Sequence, residues 1–263
     1  MVPAPARDHS TNWRAALKAA ATDQLRLLDV QALDTRLDQL AHRLQTLPEH
    51  AALRELDGTL AALRDQIVGA ETEASDVSRE LSKAEGDVDQ VTARAARDQQ
   101  RLDAGQVSSP KELEGLQHEI ATLAKRQSDL EDIVLEIMER LESAQSRHAE
   151  LTTQQEQAKA KVAELTASRD RASGEIENEM AALRPQRDTQ AGQLADELVA
   201  LYEKIRAQQA GIGAAELRQR RCSGCRLEIN NVELGRLRAA DDDEVLRCEE
   251  CRRILIRTAE SGL

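Results

Sequence analysis

AALRELDGTLAALRDQIVGAETEASDVSRELSKAEGDVDQVTARAARDQQRLDAG, residues 51–105, is the stretch on which the fold turns. Stepping through it by alternate threes and fours gives Leu53, Leu56, Leu60, Leu63, Ile67, Ala70, Ala74, Val77, Leu81, Ala84, Val88, Val91, Ala95, Asp98 and Leu102. Only Asp98 breaks the apolar run. A seam sustained over this many heptads marks a helix that must lie against another helix. From about residue 50 to 104 it would extend roughly 80 Å at 1.5 Å per residue.

The partner follows directly. Gly105 suits a helix C-terminal cap. Ser109-Pro110-Lys111-Glu112 reads as a capping box with proline at the first helical position. Beyond it the alternation resumes at Leu113, Leu116, Ile120 and Leu123, and runs through Leu130, Val134, Ile137, Leu141, Ala144, Leu151, Ala158 and Val162 to Leu165. Two seams joined by so short a turn fold back antiparallel within one chain, which favours a monomer. Gln127, His148 and Gln155 occupy seam positions and, with Asp98, read as register-setting polar residues. Past Leu165 the spacing slips at Ala172-Ile176-Met180 and at Gln190-Leu194-Leu198, and Pro185 between them predicts a kink. On the other side, Val30, Leu33, Leu37, Leu40, Leu44 and Leu47 form a shorter seam that Pro48 interrupts. It should cover the far half of the returning helix.

Composition agrees. The chain has 263 residues, 32% charged and 1% aromatic, with one Trp, one Tyr and no Phe. A single large compact core normally draws on many aromatics, so long helices are the better reading. A formal net charge of -12 excludes coating nucleic acid by bulk charge. No apolar run approaches 18 residues, so no membrane span is expected. The opening residues lack the apolar core of a signal peptide, which points to a cytoplasmic, reducing compartment. The expected organisation is a loose tail over 1–12, a helical hairpin over 13–210 with Trp13 packed at its end, and a separate module over 211–263. The hairpin should break near Pro48, turn near 104–110 and kink near Pro185.

That last module holds all four cysteines, as Cys222-Ser223-Gly224-Cys225 and Cys248-Glu249-Glu250-Cys251. Two Cys-x-x-Cys turns supply four thiolates, the soft tetrahedral set that structural zinc takes. Four thiolates leave no open position for a catalytic water. Disulfides are disfavoured by compartment, and a thioredoxin-like redox site by the lack of a βαβ pattern. One structural Zn2+ per chain, held by Cys222, Cys225, Cys248 and Cys251, is therefore expected. Residues 245–247 and 253–257 read as a β-hairpin, with Ile254 and Ile256 on one face and Leu255 on the other. Leu227, Ile229 and Val232 should pack against it, and Asp241–Glu244 should form an exposed tip.

The segments Ser108–Ile120, Leu201-Tyr202-Glu203-Lys204-Ile205-Arg206, Cys222–Cys225 and Cys248–Leu255 together resemble the bacterial C4-type zinc-ribbon family. The resemblance implies a mainly α fold: a long antiparallel coiled-coil helical hairpin with a small C-terminal β zinc ribbon. It also implies a non-enzymatic protein that binds nucleic acid or transcription-related proteins, some members being linked to flagellar gene regulation. The family pattern has Gly where this chain has Arg252, and an aromatic where it has Ile256.

Two functions are carried forward. In the first, the chain is an adaptor that docks protein partners through the ribbon end. In the second, the arginines near the zinc turns bind RNA or DNA phosphate, with Arg220, Arg221, Arg226, Arg252 and Arg253 as the candidate contacts. From Ala214 onward ten Arg balance ten acidic residues, and no aromatic interleaves them, which weakens base stacking. No small-molecule site, catalytic triad or phosphate-cradling loop is visible.

Overall fold

The computed structural model describes residues 17–263, so the expected tail over 1–12 and Trp13 lie outside the described residues. The elements are α1 (Ala21–Gln45), α2 (Pro48–Asp103), α3 (Pro110–Ala191), α4 (Asp196–Gln208), β1 (Ala214–Arg218), β2 (Arg221–Cys222), α5 (Asn231–Ala239) and β3 (Ile254–Arg257). They fall into two compact units. One comprises Pro48–Ser168; the other joins the N-terminal segment to Leu47 with Arg169–Leu263.

The first unit is the hairpin that the heptads require. Along α2, Leu60, Leu63, Ala70, Val77, Ala84 and Asp98 are buried, and along α3, Leu116, Leu130, Ile137, Ala144 and Leu151. Every one is a seam position. Leu63, Ala70 and Leu151 form one cluster, and Val77, Ala84 and Ile137 another. Each fully buried Leu or Ile contributes on the order of 1.5–3 kcal/mol. Ion pairs flank the seam: Glu80 with Arg140 at 3.1 Å, Glu73 with Arg147 at 3.9 Å, and Arg94 with Glu119. Numbers rise on one helix as they fall on the other, so the pairing is antiparallel. Gln127, His148 and Gln155 are half-buried, as their seam positions require.

The turn between the helices is capped as expected, with one shift. The Glu112 amide donates to Ser109 Oγ at 3.3 Å. The return contact, however, reaches one residue further back: the Ser108 amide and hydroxyl donate to Glu112 Oε2 at 3.2 and 3.1 Å. Glu112 thus satisfies a donor just outside the helix rather than the capping residue's own amide.

In the second unit the short seam works as predicted. Leu40, Leu44 and Leu47 pack with Ala172, Ile176, Met180 and Leu183. One boundary expectation needs correction. Residues 17–20 are not helical; α1 begins at Ala21, because the Ala19 amide donates to Asp243 O and the Val245 amide to Leu17 O. Helix α3 runs through Pro185 to Ala191, and residues 192–195 separate it from α4. Helix α4 ends at Gln208, next to the expected boundary at 210.

The C-terminal module contains a three-stranded sheet in the order β2-β1-β3. The expected hairpin between 245–247 and 253–257 shrinks to a single antiparallel bridge, Arg247 to Ile254. β3 instead pairs in parallel with β1, Ala214 opposite Ile254 through Leu217 opposite Arg257. The face assignment holds. Ile254 and Ile256 join Leu27, Val30, Leu198, Tyr202 and Ile205 in one core, while Leu255 joins Leu217, Leu237 and Leu246 in another. β3 is therefore buried on both sides, as parallel strands generally are. Leu227 and Val232 do not pack there: they are 51% and 86% exposed, and Leu234 and Leu237 of α5 take the buried places. The acidic stretch is not a free tip either. Lys18 Nζ meets Asp243 Oδ1 at 3.0 Å, and Gln24 Nε2 donates to Asp242 O at 3.2 Å.

Candidate metal centre

Each Cys-x-x-Cys turn is closed by the same two backbone bonds. The Arg226 amide donates to Cys222 O at 2.7 Å and the Cys222 amide to Leu227 O at 3.1 Å. Likewise the Arg252 amide donates to Cys248 O at 2.9 Å and the Cys248 amide to Arg253 O at 3.0 Å. To close these turns the residue after the second cysteine must be left-handed, and Arg226 and Arg252 both have φ of 63°. Glycine meets that demand without a Cβ clash; arginine carries a cost of about 1 kcal/mol. Gly224 has a different reason to be glycine. A Cβ there would lie 2.6 Å from Arg253 Cδ and 3.1 Å from Ala215 Cβ, so the residue makes room rather than supplying a special φ.

The turns place all four sulfurs within 4.8 Å of one another. Cys222 Sγ is 3.8 Å from Cys251 Sγ, and Cys225 Sγ is 3.9 Å from Cys248 Sγ. A tetrahedron with Zn–S bonds of about 2.3 Å has edges of about 3.8 Å, so the donor set fits zinc. Cys222 and Cys248 are buried, Cys225 and Cys251 half-buried. Burial pushes the Cys222 and Cys248 thiols up toward the neutral form. At Cys251 burial also pushes up, but hydrogen bonds from Arg253 and the neighbouring thiols bring it down to about 7. A divalent cation at the centre of this set favours all four thiolates.

Of the five candidate arginines, the structure brings four to the exposed surface and assigns the fifth elsewhere. Arg220, Arg221, Arg226 and Arg252 are exposed around the two turns. Arg221 reaches Glu228 at 3.9 Å; among the described residues Arg220, Arg226 and Arg252 have no carboxylate partner. Arg253 is half-buried and serves the fold. Its Nε donates to Ile212 O at 3.0 Å and its Nη2 to Gln209 O at 2.9 Å, tying the second turn to the end of α4.

Sequence reasoning missed the polar residues that seat the module. Gln31 Oε1 accepts from the Gly213 amide at 2.7 Å and the Ala214 amide at 3.2 Å, while its Nε2 donates to Gly211 O at 3.0 Å. Asp34 is deeply buried and accepts from Tyr202 OH at 2.7 Å and from Arg187 Nε at 3.1 Å; Arg206 Nε lies 3.5 Å away. Arg187 also pairs with Glu203, and Arg206 with Asp38 at 2.7 Å. The segment Leu201–Arg206 singled out by resemblance therefore supplies one wall of this network. The available signal was a lone Tyr within a helical repeat and an Arg at seam position 187.

Comparison with known proteins agrees with this layout. Residues 30–210 match the model of the CT398-like coiled coil hairpin domain, and residues 221–255 that of the C4-type zinc ribbon domain. The Mycobacterium tuberculosis protein Rv2229c is 36% identical over 241 residues, covering 92% of this chain and 98% of that protein. A solved structure from Mycobacterium smegmatis superposes with a TM-score of 0.76 at 34% identity, covering 92% of this chain and all (100%) of the other. The structure of CT398 from Chlamydia trachomatis, at 18% identity, shares the fold with a TM-score of 0.65 over 90% of this chain and 98% of its own.

Proposed function

The chain belongs to the family defined by the CT398-like coiled coil hairpin domain, with a C4-type zinc ribbon following the hairpin, and we propose from that premise that it is a non-enzymatic adaptor. One structural Zn2+ per chain, held by Cys222, Cys225, Cys248 and Cys251, fixes the ribbon. The ribbon end then docks a protein partner, with transcription machinery the class that the resemblance suggests. When bound, the metal supplies cross-linking of two turns and no reactive site. The protein works in the reducing cytoplasm, where thiolates stay available. Among the described residues, no helix is long and apolar enough to cross a membrane.

One observation carries the reading: the tether made by buried Gln31 and half-buried Arg253, which holds the cysteine module on α1 and α4. A knob rigidly set on its own helices is pre-organised for docking, which lowers the ordering cost of binding. The test is affinity capture with the full chain after nuclease treatment, compared with Gln31→Ala. A protein retrieved reproducibly by the first and weakly by the second supports the adaptor.

A second reading rests on Arg220, Arg226 and Arg252, three exposed guanidinium groups with no carboxylate partner among the described residues. They suit phosphate contacts from RNA or DNA. Replacing all three with Ser should then lower affinity and flatten its salt dependence. If wild type and variant bind a mixed-sequence RNA and duplex DNA equally poorly, that reading fails.

A further inference from the structure

The hairpin seam buries its apolar residues, yet one segment of α3 leaves a second apolar row outside. Leu135 is 58% exposed and Met138 49% exposed, one turn apart on the same side of the helix. Leu135 stands as a ridge between two hollows. The first, of about 510 Å3, has Val88, Val134 and Leu135 as its floor. The second, of about 440 Å3, lies between Leu81, Leu135, Met138 and Leu141. Hollows on both sides of an apolar ridge are what an approaching helix needs for interdigitated packing.

The charges around this groove differ from those along the rest of the hairpin. Beyond it a basic residue on one helix faces an acidic residue on the other, as in Glu73–Arg147 and Arg94–Glu119, and Glu80–Arg140 pairs likewise beside the second hollow. Here Glu85 and Asp89 of α2 share the first hollow with Glu131 of α3, and Glu139 and Glu142 rim the second. Among the described residues, none of these five carboxylates has a cationic partner. Like charges set across an apolar floor cost the free hairpin stability, and a cationic visitor relieves that cost.

We propose that this groove is a docking site for an amphipathic helix of a partner protein, with an apolar stripe flanked by Lys and Arg. The apolar stripe covers Leu135 and Met138 while the flanking cations answer Glu85, Asp89 and Glu131. A second copy of the same face is disfavoured, because it would bring the same carboxylates to the contact. Nucleic acid is repelled by the rim. This surface is independent of the ribbon end and stands whether or not the ribbon docks a partner.

The test uses the full chain and a fluorescent helical peptide with Leu along one face and Lys along both flanks, read by anisotropy. A matched peptide with Glu for Lys serves as the charge control. Saturable binding of the Lys peptide alone is expected. Leu135→Ser with Met138→Ser should weaken it about tenfold or more, as truncating central apolar anchors does. Glu85→Lys with Glu131→Lys should weaken it as strongly, and this second pair stands if the first alters the helix. Glu71→Lys with Glu150→Lys, at exposed acidic positions away from the groove, should change affinity less than about twofold. Equal loss in that control overturns the proposal, because bulk charge then explains the binding. So does absence of saturable binding. A dimer in sedimentation that the Ser variant dissociates also overturns it, by assigning the groove to a second copy.

Discussion

Replacing Asp34 with Ala probes the network that seats the cysteine module. The carboxylate side chain is 5% exposed and accepts from a fully buried phenol and from Arg187. The substitution strands the Tyr202 hydroxyl, a penalty of about 1–3 kcal/mol. It also withdraws one acceptor from Arg187 and Arg206, which keep Glu203 and Asp38. Breaking a buried charge pair typically costs about 3–5 kcal/mol, and the remaining partners place this case near the lower end. Tyr202→Phe removes a single bond and should cost about 1 kcal/mol. Amide hydrogen exchange provides the readout, with the backbone amides of α4 and β1 as reporters and those around Leu63–Ala84 as an internal reference. A loss of about 3 kcal/mol accelerates exchange about a hundredfold, because each 1.4 kcal/mol is about a factor of ten. Acceleration below about fivefold in Asp34→Ala, or equal effects from both variants, would mean that the carboxylate does not hold this network together.

Three further outcomes follow from the same geometry. Asp98 is a buried carboxylate in the seam whose Oδ2 has no hydrogen-bond partner, with Arg101 only within 3.7 Å of Oδ1; Asp98→Leu should raise hairpin stability by about 1 kcal/mol or more in thermal melts. Arg252 occupies a left-handed turn position, so Arg252→Gly should leave zinc affinity intact and stabilise the ribbon by up to about 1 kcal/mol against chelator-induced unfolding, whereas Arg252→Val should destabilise it. The Ser108 hydroxyl and amide hold the Glu112 carboxyl below its ordinary value of 4.5. A depressed carboxyl stabilises the turn fully above that value and loses its contribution as pH falls through the lower folded-state value. Titration of Glu112 by NMR should show the depression, and Ser108→Ala should return it toward 4.5.

The hairpin was legible because a heptad seam is a one-dimensional signal: Leu63, Val77, Ile137 and Leu151 identify themselves by spacing alone. The cysteine set was legible for a similar reason, since two Cys-x-x-Cys turns constrain their own local geometry. What stayed hidden depends on contacts between distant segments. The stretch Ala214–Arg218 has no β-branched residue and no alternation to mark a strand; it becomes one by pairing in parallel with Ile254–Arg257. Gln24, Gln31 and Asp34 are polar and carry no periodic signal, yet all three are buried, the two glutamines against the C-terminal module and Asp34 against α3 and α4. Pro185 lies inside α3, as an expected kink rather than a break requires, whereas the end of the helix after Ala191 carries no comparable sequence signal. Val232 is exposed because the Asn230 side chain caps α5 and turns Leu234 and Leu237 inward instead, while Ile229 just before the cap packs against the core.

Zinc content of the freshly purified full-length chain, handled under reducing conditions, addresses the metal-clamped ribbon most directly. One ion per chain is expected, lost when Cys222 and Cys248 are both replaced by Ser, together with loss of amide protection in β1 and β3. A content near zero in the wild-type chain, or an ion retained with those two thiolates gone, would contradict it.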